Sequence, residues 1–172
     1  MKGQIKKIKK LLVTIDFSAY SRSVLEYAVE VAKATNARIL VINIINQKEI
    51  DSVEKAVNSK NSDTFLLAKH LADEAGRREL KLNALIKEIA GSTELSVDIF
   101  IGHGVPSVEI LAAIDREEVD FLVFGPKGRT DLKGFLFGSV AEKLFRHSPV
   151  PVLSLRSRSA VSDNIHQTLM KS

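Results

Sequence analysis

The chain has 172 residues, 45% of them hydrophobic and 27% charged, with a formal net charge of +4 and no cysteine. That length suits one domain large enough to bury a core, and the missing cysteines exclude a disulfide framework and a thiolate metal site. No apolar run approaches the length of a membrane span, and a cytoplasmic protein is expected.

The chain opens on a basic arm, residues 1–9. With Lys10 next, the lysines at 2, 6, 7, 9 and 10 give the first ten residues +5. This arm is not expected to be a secretory signal, because its apolar stretch, 11–15, is short, ends at Asp16 and precedes no small-residue cleavage site. The polar tail, 157–172, carries +2 together with Arg156, so the body between the two ends is net −3. A basic arm can hold a polyanion without sequence preference, or simply solubilise the first strand. No aromatic residue alternates with the lysines, so no specific nucleic-acid site is expected.

A domain is expected over 10–156. Its first strand, 10–15, runs into Asp16. A helix follows over 21–34, with Val24, Leu25, Ala28, Val29 and Ala32 on one face and Ser18 or Ser21 as its cap. Residues 38–45 are almost continuously apolar, which suits a strand covered on both faces. Residues 47–62 are polar and read as a surface connection. A long helix spans 64–90, with Leu67, Leu71, Ala75, Leu82, Leu85, Ile86 and Ile89 at helical spacing. Gly91 should stop it and Gly76 should weaken or bend it. A third strand is expected at 95–101, then a turn over 102–106. Pro106 should open a helix, 107–116, that buries Val108, Leu111 and Ile114. A strand at 119–124, a helix at 139–147 and a last strand at 151–155 complete the pattern. Strands alternating with helices imply right-handed crossovers and a mainly parallel sheet covered on both faces.

The connection from 125 to 138 carries the strongest signal. It reads Gly125-Pro126-Lys127-Gly128-Arg129-Thr130-Asp131-Leu132-Lys133-Gly134-Phe135-Leu136-Phe137-Gly138, and Ser139-Val140 follows. A strand empties into a glycine-punctuated loop that opens a helix. Glycines admit an oxyanion close to the backbone, and a helix start offers unpaired N–H groups and the positive end of the dipole. Lys127, Arg129 and Lys133 outweigh Asp131, so the loop favours an anion. The spacing fits neither a P-loop nor a dinucleotide fingerprint. The plainer reading gives the glycines to a tight turn and makes Ser139 an ordinary cap.

The spacing Gly125-x2-Gly128-x9-Gly138-Ser139-Val140 resembles the nucleotide-binding signature of the ATP-binding universal stress proteins. The resemblance covers about residues 8–156. It includes the opening Leu11-Leu12-Val13-Thr14-Ile15-Asp16-Phe17-Ser18, the turn Gly104-Val105-Pro106, and the close Ser148-Pro149-Val150-Pro151-Val152. It implies an open five-stranded parallel sheet of order 3-2-1-4-5, of the adenine nucleotide alpha hydrolase-like type. It implies ATP as ligand, with the phosphates against residues 125–130 (Gly125, Pro126, Lys127, Gly128, Arg129 and Thr130) and against Gly138, Ser139 and Val140. Magnesium would arrive with the nucleotide, held by phosphate and water. Thr14 and Ile44 match positions lining the adenine pocket, and Asp16 matches one facing the adenosine end. Asp16 reads equally as a cap on the Phe17-Ser18 turn. Pro126 departs from the pattern by removing one N–H.

His70, His103, His147 and His166 are scattered, so no metal ligands are expected from the protein. No nucleophile triad or carboxylate pair declares itself, and no catalytic residue is assigned. The family implies a regulatory role through an unidentified protein partner and a homodimer through the last strand at Val150 and Val152. A slow ATPase or other phosphate-transfer enzyme and a nucleotide-free scaffold are the alternatives on the same fold.

Overall fold

The computed structural model describes residues 7–58, 64–126 and 138–155. Ten elements follow in order: β1 (Lys10–Thr14), α1 (Ser21–Thr35), β2 (Arg38–Asn46), α2 (Gln47–Asn58), α3 (Thr64–Ala90), β3 (Val97–Gly104), α4 (Pro106–Arg116), β4 (Phe121–Phe124), α5 (Ser139–His147) and β5 (Val152–Ser154). The strands form one sheet of order β3-β2-β1-β4-β5, and every neighbouring pair is parallel.

The apolar runs explain the layering. Seven consecutive residues of β2, Ile39 to Ile45, are buried, so alternate side chains enter cores on opposite faces. Leu11, Val13, Ile39 and Val41 pack with α1 and with Leu82 of α3. Leu12, Leu40, Ile42 and Ile44 pack with Ile110 and Ile114 of α4 and with Leu144 of α5. In α1 the buried stripe is Val24, Leu25, Ala28, Val29 and Ala32, as its spacing predicts.

Several expectations need correction. The segment after β2 is not merely a polar connection, because α2 occupies Gln47–Asn58. Ile50 is buried and Val53 half-buried, one apolar edge on an otherwise solvated helix, and Asn46 Oδ1 accepts the Lys48 N–H (3.1 Å) as a cap. β3 runs on to Gly104, through the expected turn, because β2 pairs with it as far as Asn46 against Gly104. On α4, Val108 is 58% exposed and Leu111 is only half-buried; the buried stripe is Ser107, Ile110, Ala113 and Ile114. The N-cap position of α1 falls on Tyr20, which makes no side-chain cap bond, and Ser21 is the first helical residue; the Ser18 hydroxyl accepts the Tyr20 N–H at 3.4 Å. Gly76 does not interrupt α3, where a Cβ would meet nothing within 4 Å. Gly91 does end that helix, and a Cβ there would stand 2.2 Å from Lys87 O.

Candidate functional site

The winding of the sheet reverses between β1 and β4. From β1 the chain goes outward through β2 and β3, then returns to place β4 on the other side of β1. In open α/β sheets such a reversal leaves a crevice outside the carboxyl ends of the strands. A crevice of about 930 Å³ lies there, within the size range of small-molecule sites. Its described walls include Thr14, Asp16, Ile44, Gly125, Gly138, Ser139 and Val140. Seven of the residues singled out from sequence therefore meet at one place. Pro126 is buried and is not among the lining residues. Lys127, Gly128, Arg129 and Thr130 lie outside the described residues.

The turn after β1 is organised by Asp16. One carboxylate oxygen accepts the Ser18 N–H at 3.0 Å and the Ser21 hydroxyl at 3.3 Å. Between them Phe17 takes a left-handed backbone, φ 62°, which costs a non-glycine residue energy and persists because these bonds hold it. Asp16 thus has the turn-capping role while also lining the crevice.

On the other wall, Gly138 precedes α5 as its N-cap and donates its N–H to Pro126 O at 2.8 Å. This bond ties together the two ends of the segment 127–137. Gly138 O accepts the Glu142 N–H at 2.9 Å, the first turn of the helix. At φ −74° and ψ 160°, Gly138 has a backbone that any residue adopts, so turning the chain does not require a glycine here. Ser139, the first residue of α5, is exposed, and Val140 is half-buried.

The floor is apolar. Ile44 and Phe124 come from the strands, with Pro106 and Ile110 from α4. Gly102 stands opposite Ile44 in the β2–β3 register. A Cβ on Gly102 would lie 2.8 Å from Ile44 Cδ1 and 2.9 Å from Phe100 Cε1, so this glycine leaves room for the Ile44 side chain. Among the described lining residues the charged ones are Asp16, Lys48, Glu49 and Glu142, a net acidic wall. No group of three or more His, Asp or Glu side chains is placed to hold a metal among the described residues.

Sequence reasoning missed one polar cluster. Arg78 of α3 is 5% exposed. Its guanidinium donates to Asn43 Oδ1 at 3.0 Å, Ile44 O at 3.4 Å, Glu49 Oε2 at 2.6 Å and Glu74 Oε1 at 2.7 Å. Asn43, also buried, donates Nδ2 to Ile15 O at 2.6 Å. The hydrogen bond from Arg78 holds the Glu74 carboxyl below its ordinary pKa, against an opposing push from burial and with further help from Arg77. The signal was present as two interruptions: Asn43 inside the apolar run of β2, and Arg78 inside the stripe Leu71, Ala75, Leu82 of α3.

Comparison with known proteins supplies the family. The model of the universal stress protein family matches residues 7–156. Universal stress protein MJ0531 of Methanocaldococcus jannaschii is 27% identical over 148 residues, covering 86% of this chain and 82% of that one. The solved structure of the hypothetical protein MJ0577 superposes with a TM-score of 0.72 at 29% identity, over 89% of this chain and 99% of that one. A universal stress protein solved in complex with cAMP shares the fold, with a TM-score of 0.57 at 19% identity, over 88% of this chain and 98% of that one. The chain belongs to the universal stress protein family.

Proposed function

We propose that this universal stress protein binds ATP in the crevice at the β1–β4 reversal and acts in the cytoplasm as a nucleotide-dependent regulator of a protein partner. The observation that carries the reading is the juxtaposition of Gly125, Gly138, Ser139 and Val140 with Asp16, Thr14 and Ile44 around one crevice. Gly138 has an ordinary extended backbone, so its missing side chain serves close approach. A phosphate brought against it meets the first N–H groups of α5. The base would lie over Ile44, towards Asp16. A related fold solved with cAMP supports an adenine nucleotide as the ligand class.

The described walls are net acidic, so a triphosphate needs compensating charge from elsewhere. The cations Lys127 and Arg129 of the loop and a magnesium ion carried by the phosphates would supply it. With no cluster of ligating side chains among the described residues, the ion would be held by phosphate oxygens and water. No described residue is assigned to activate a water. Turnover of ATP is therefore expected to fall well below the ~1 to 1,000 per second of ordinary enzymes. A steady-state rate inside that range would move the protein to the enzyme reading. The reading itself is tested by purifying the protein without added nucleotide, denaturing it and identifying the released molecules by mass spectrometry. Released ATP or a close adenine nucleotide is the expected result. Release of an unrelated ligand class, in a protein that then takes up no ATP, would overturn it.

A further inference from the structure

Arg78 does not line the crevice, yet it is bonded to the strand end that does. β1 and β2 are joined by their ladder as far as the Ile15 N–H, which donates to Ile42 O at 3.0 Å. Beyond that point Ile15 O accepts from the Asn43 side chain at 2.6 Å. This amide is the last described bond between the two strands before the crevice, and Ile15, Asn43 and Ile44 all line that crevice.

The orientation of the amide is chemically determined. A guanidinium can only donate and a backbone carbonyl can only accept. Arg78 therefore requires Oδ1 of Asn43 on its side, and Ile15 O requires Nδ2 on the other. The reverse orientation would set donor against donor and acceptor against acceptor. Arg78 is in turn held by Glu49 of α2 and Glu74 of α3, so it cannot rotate away without breaking two ion pairs. The same guanidinium also reaches Ile44 O, on the residue that forms the apolar floor. An arginine makes these contacts at once because its donors form a rigid planar fork; a lysine offers one ammonium on a flexible stem.

Resting on the adenine-nucleotide reading of the crevice, we propose that Arg78 is its positioning residue: by fixing the Asn43 amide it sets the spacing of the β1 and β2 ends between which the nucleoside is held. It touches no phosphate and acts through Asn43. Its loss should weaken a nucleoside without phosphates as much as it weakens ATP.

The test is calorimetry of ATP–magnesium and of adenosine against wild type, Arg78→Met, Asn43→Ala and the double variant. Each is first shown to be folded at the working temperature by circular dichroism. Arg78→Met should weaken both ligands by a similar factor of about tenfold. The double variant should bind no worse than Asn43→Ala alone, because the two residues act as one unit. A purely structural role would lower the melting temperature and leave both affinities unchanged, and that result overturns the proposal. So does a loss confined to ATP. If Arg78→Met does not fold, Arg78→Lys takes its place. Wild type labelled with ¹⁵N gives a second reading, in which adenosine should shift the Asn43 side-chain and Arg78 Nε resonances, and unmoved resonances would refute the proposal. A wild type that binds neither ligand sinks the nucleotide reading as well. Binding by wild type with undiminished affinity in the variants sinks the positioning role alone.

Discussion

Gly102 illustrates how much a single missing side chain decides. It lies in β3, buried, directly beside Ile44. A methyl group there would force aside Ile44 Cδ1 and Phe100 Cε1, both far ends of side chains that can move. The fold should accommodate the change at a cost of about 1–3 kcal/mol, while the crevice floor shifts under the ligand. Gly102→Ala is expected to lower nucleotide affinity several-fold in a folded protein. Calorimetry on that variant checks this, and unchanged affinity would separate Ile44 from the ligand. From sequence alone Gly102 read as part of a turn, since a glycine gives no clue whether it bends a chain or makes space beside one. Asp16 was more legible. A short acid just after a strand and two residues before a serine is a turn former by chemistry, and its carboxylate does accept the Ser18 N–H.

Among the elements, the helix starts and the long apolar strands were readable because periodicity reports burial directly. The boundaries of α3 and α5 agree with the spacing of their apolar residues. What failed to show was tertiary. α2 has a sparse apolar edge, so its composition resembles a loop, and its place depends on β2 and on the Arg78–Glu49 pair. β3 runs through Gly102 and ends only at Gly104 because β2 supplies a partner for each residue as far as Asn46.

The network joining β2, α2 and α3 has a pH signature. Glu74 has a lowered pKa in the folded protein, chiefly through its hydrogen bond from Arg78. The folded state therefore binds fewer protons than the unfolded state in the acid range. The stabilisation is fully present above the unfolded value, about 4.3 for glutamate, and is lost as pH falls through the depressed folded value. Chemical denaturation of wild type and Glu74→Gln between neutral and acid pH should show a steeper acid loss in wild type. Parallel pH profiles would mean that Glu74 contributes nothing through its charge.

Among the described residues the molecule is a sheet with a crevice at the β1–β4 reversal and β5 at one edge. The order β3-β2-β1-β4-β5 agrees with the order implied by the family resemblance, and it brings Asp16 and Gly125 to the same end of adjacent strands. β5 lies at the edge, with Val150 and Val152 half-buried against the α4–α5 core. Pro151 accepts the Leu122 N–H through its carbonyl, and as a proline it has no N–H to offer outward. A strand edge left bare invites pairing; a homodimer through β5 is our proposal for what covers this one, the alternative being the tail from Arg156, which lies outside the described residues. Val152→Lys would place two like charges near a two-fold axis. Sedimentation should find a wild-type dimer and a variant shifted towards monomer with its circular dichroism intact. A wild type that is monomeric at micromolar concentration, with and without ATP, would remove the dimer.

In the proposed site the phosphates approach the backbone at Gly138. The backbone of this residue, φ −74° and ψ 160°, is one that valine adopts without strain, so Gly138→Val should fold while its side chain occupies the space beside the first N–H groups of α5. Titration of wild type and Gly138→Val with ATP in the presence of magnesium probes that approach. Saturable binding by wild type and none by the folded variant is expected. Equal affinity in the two proteins, or no binding by wild type, would contradict it.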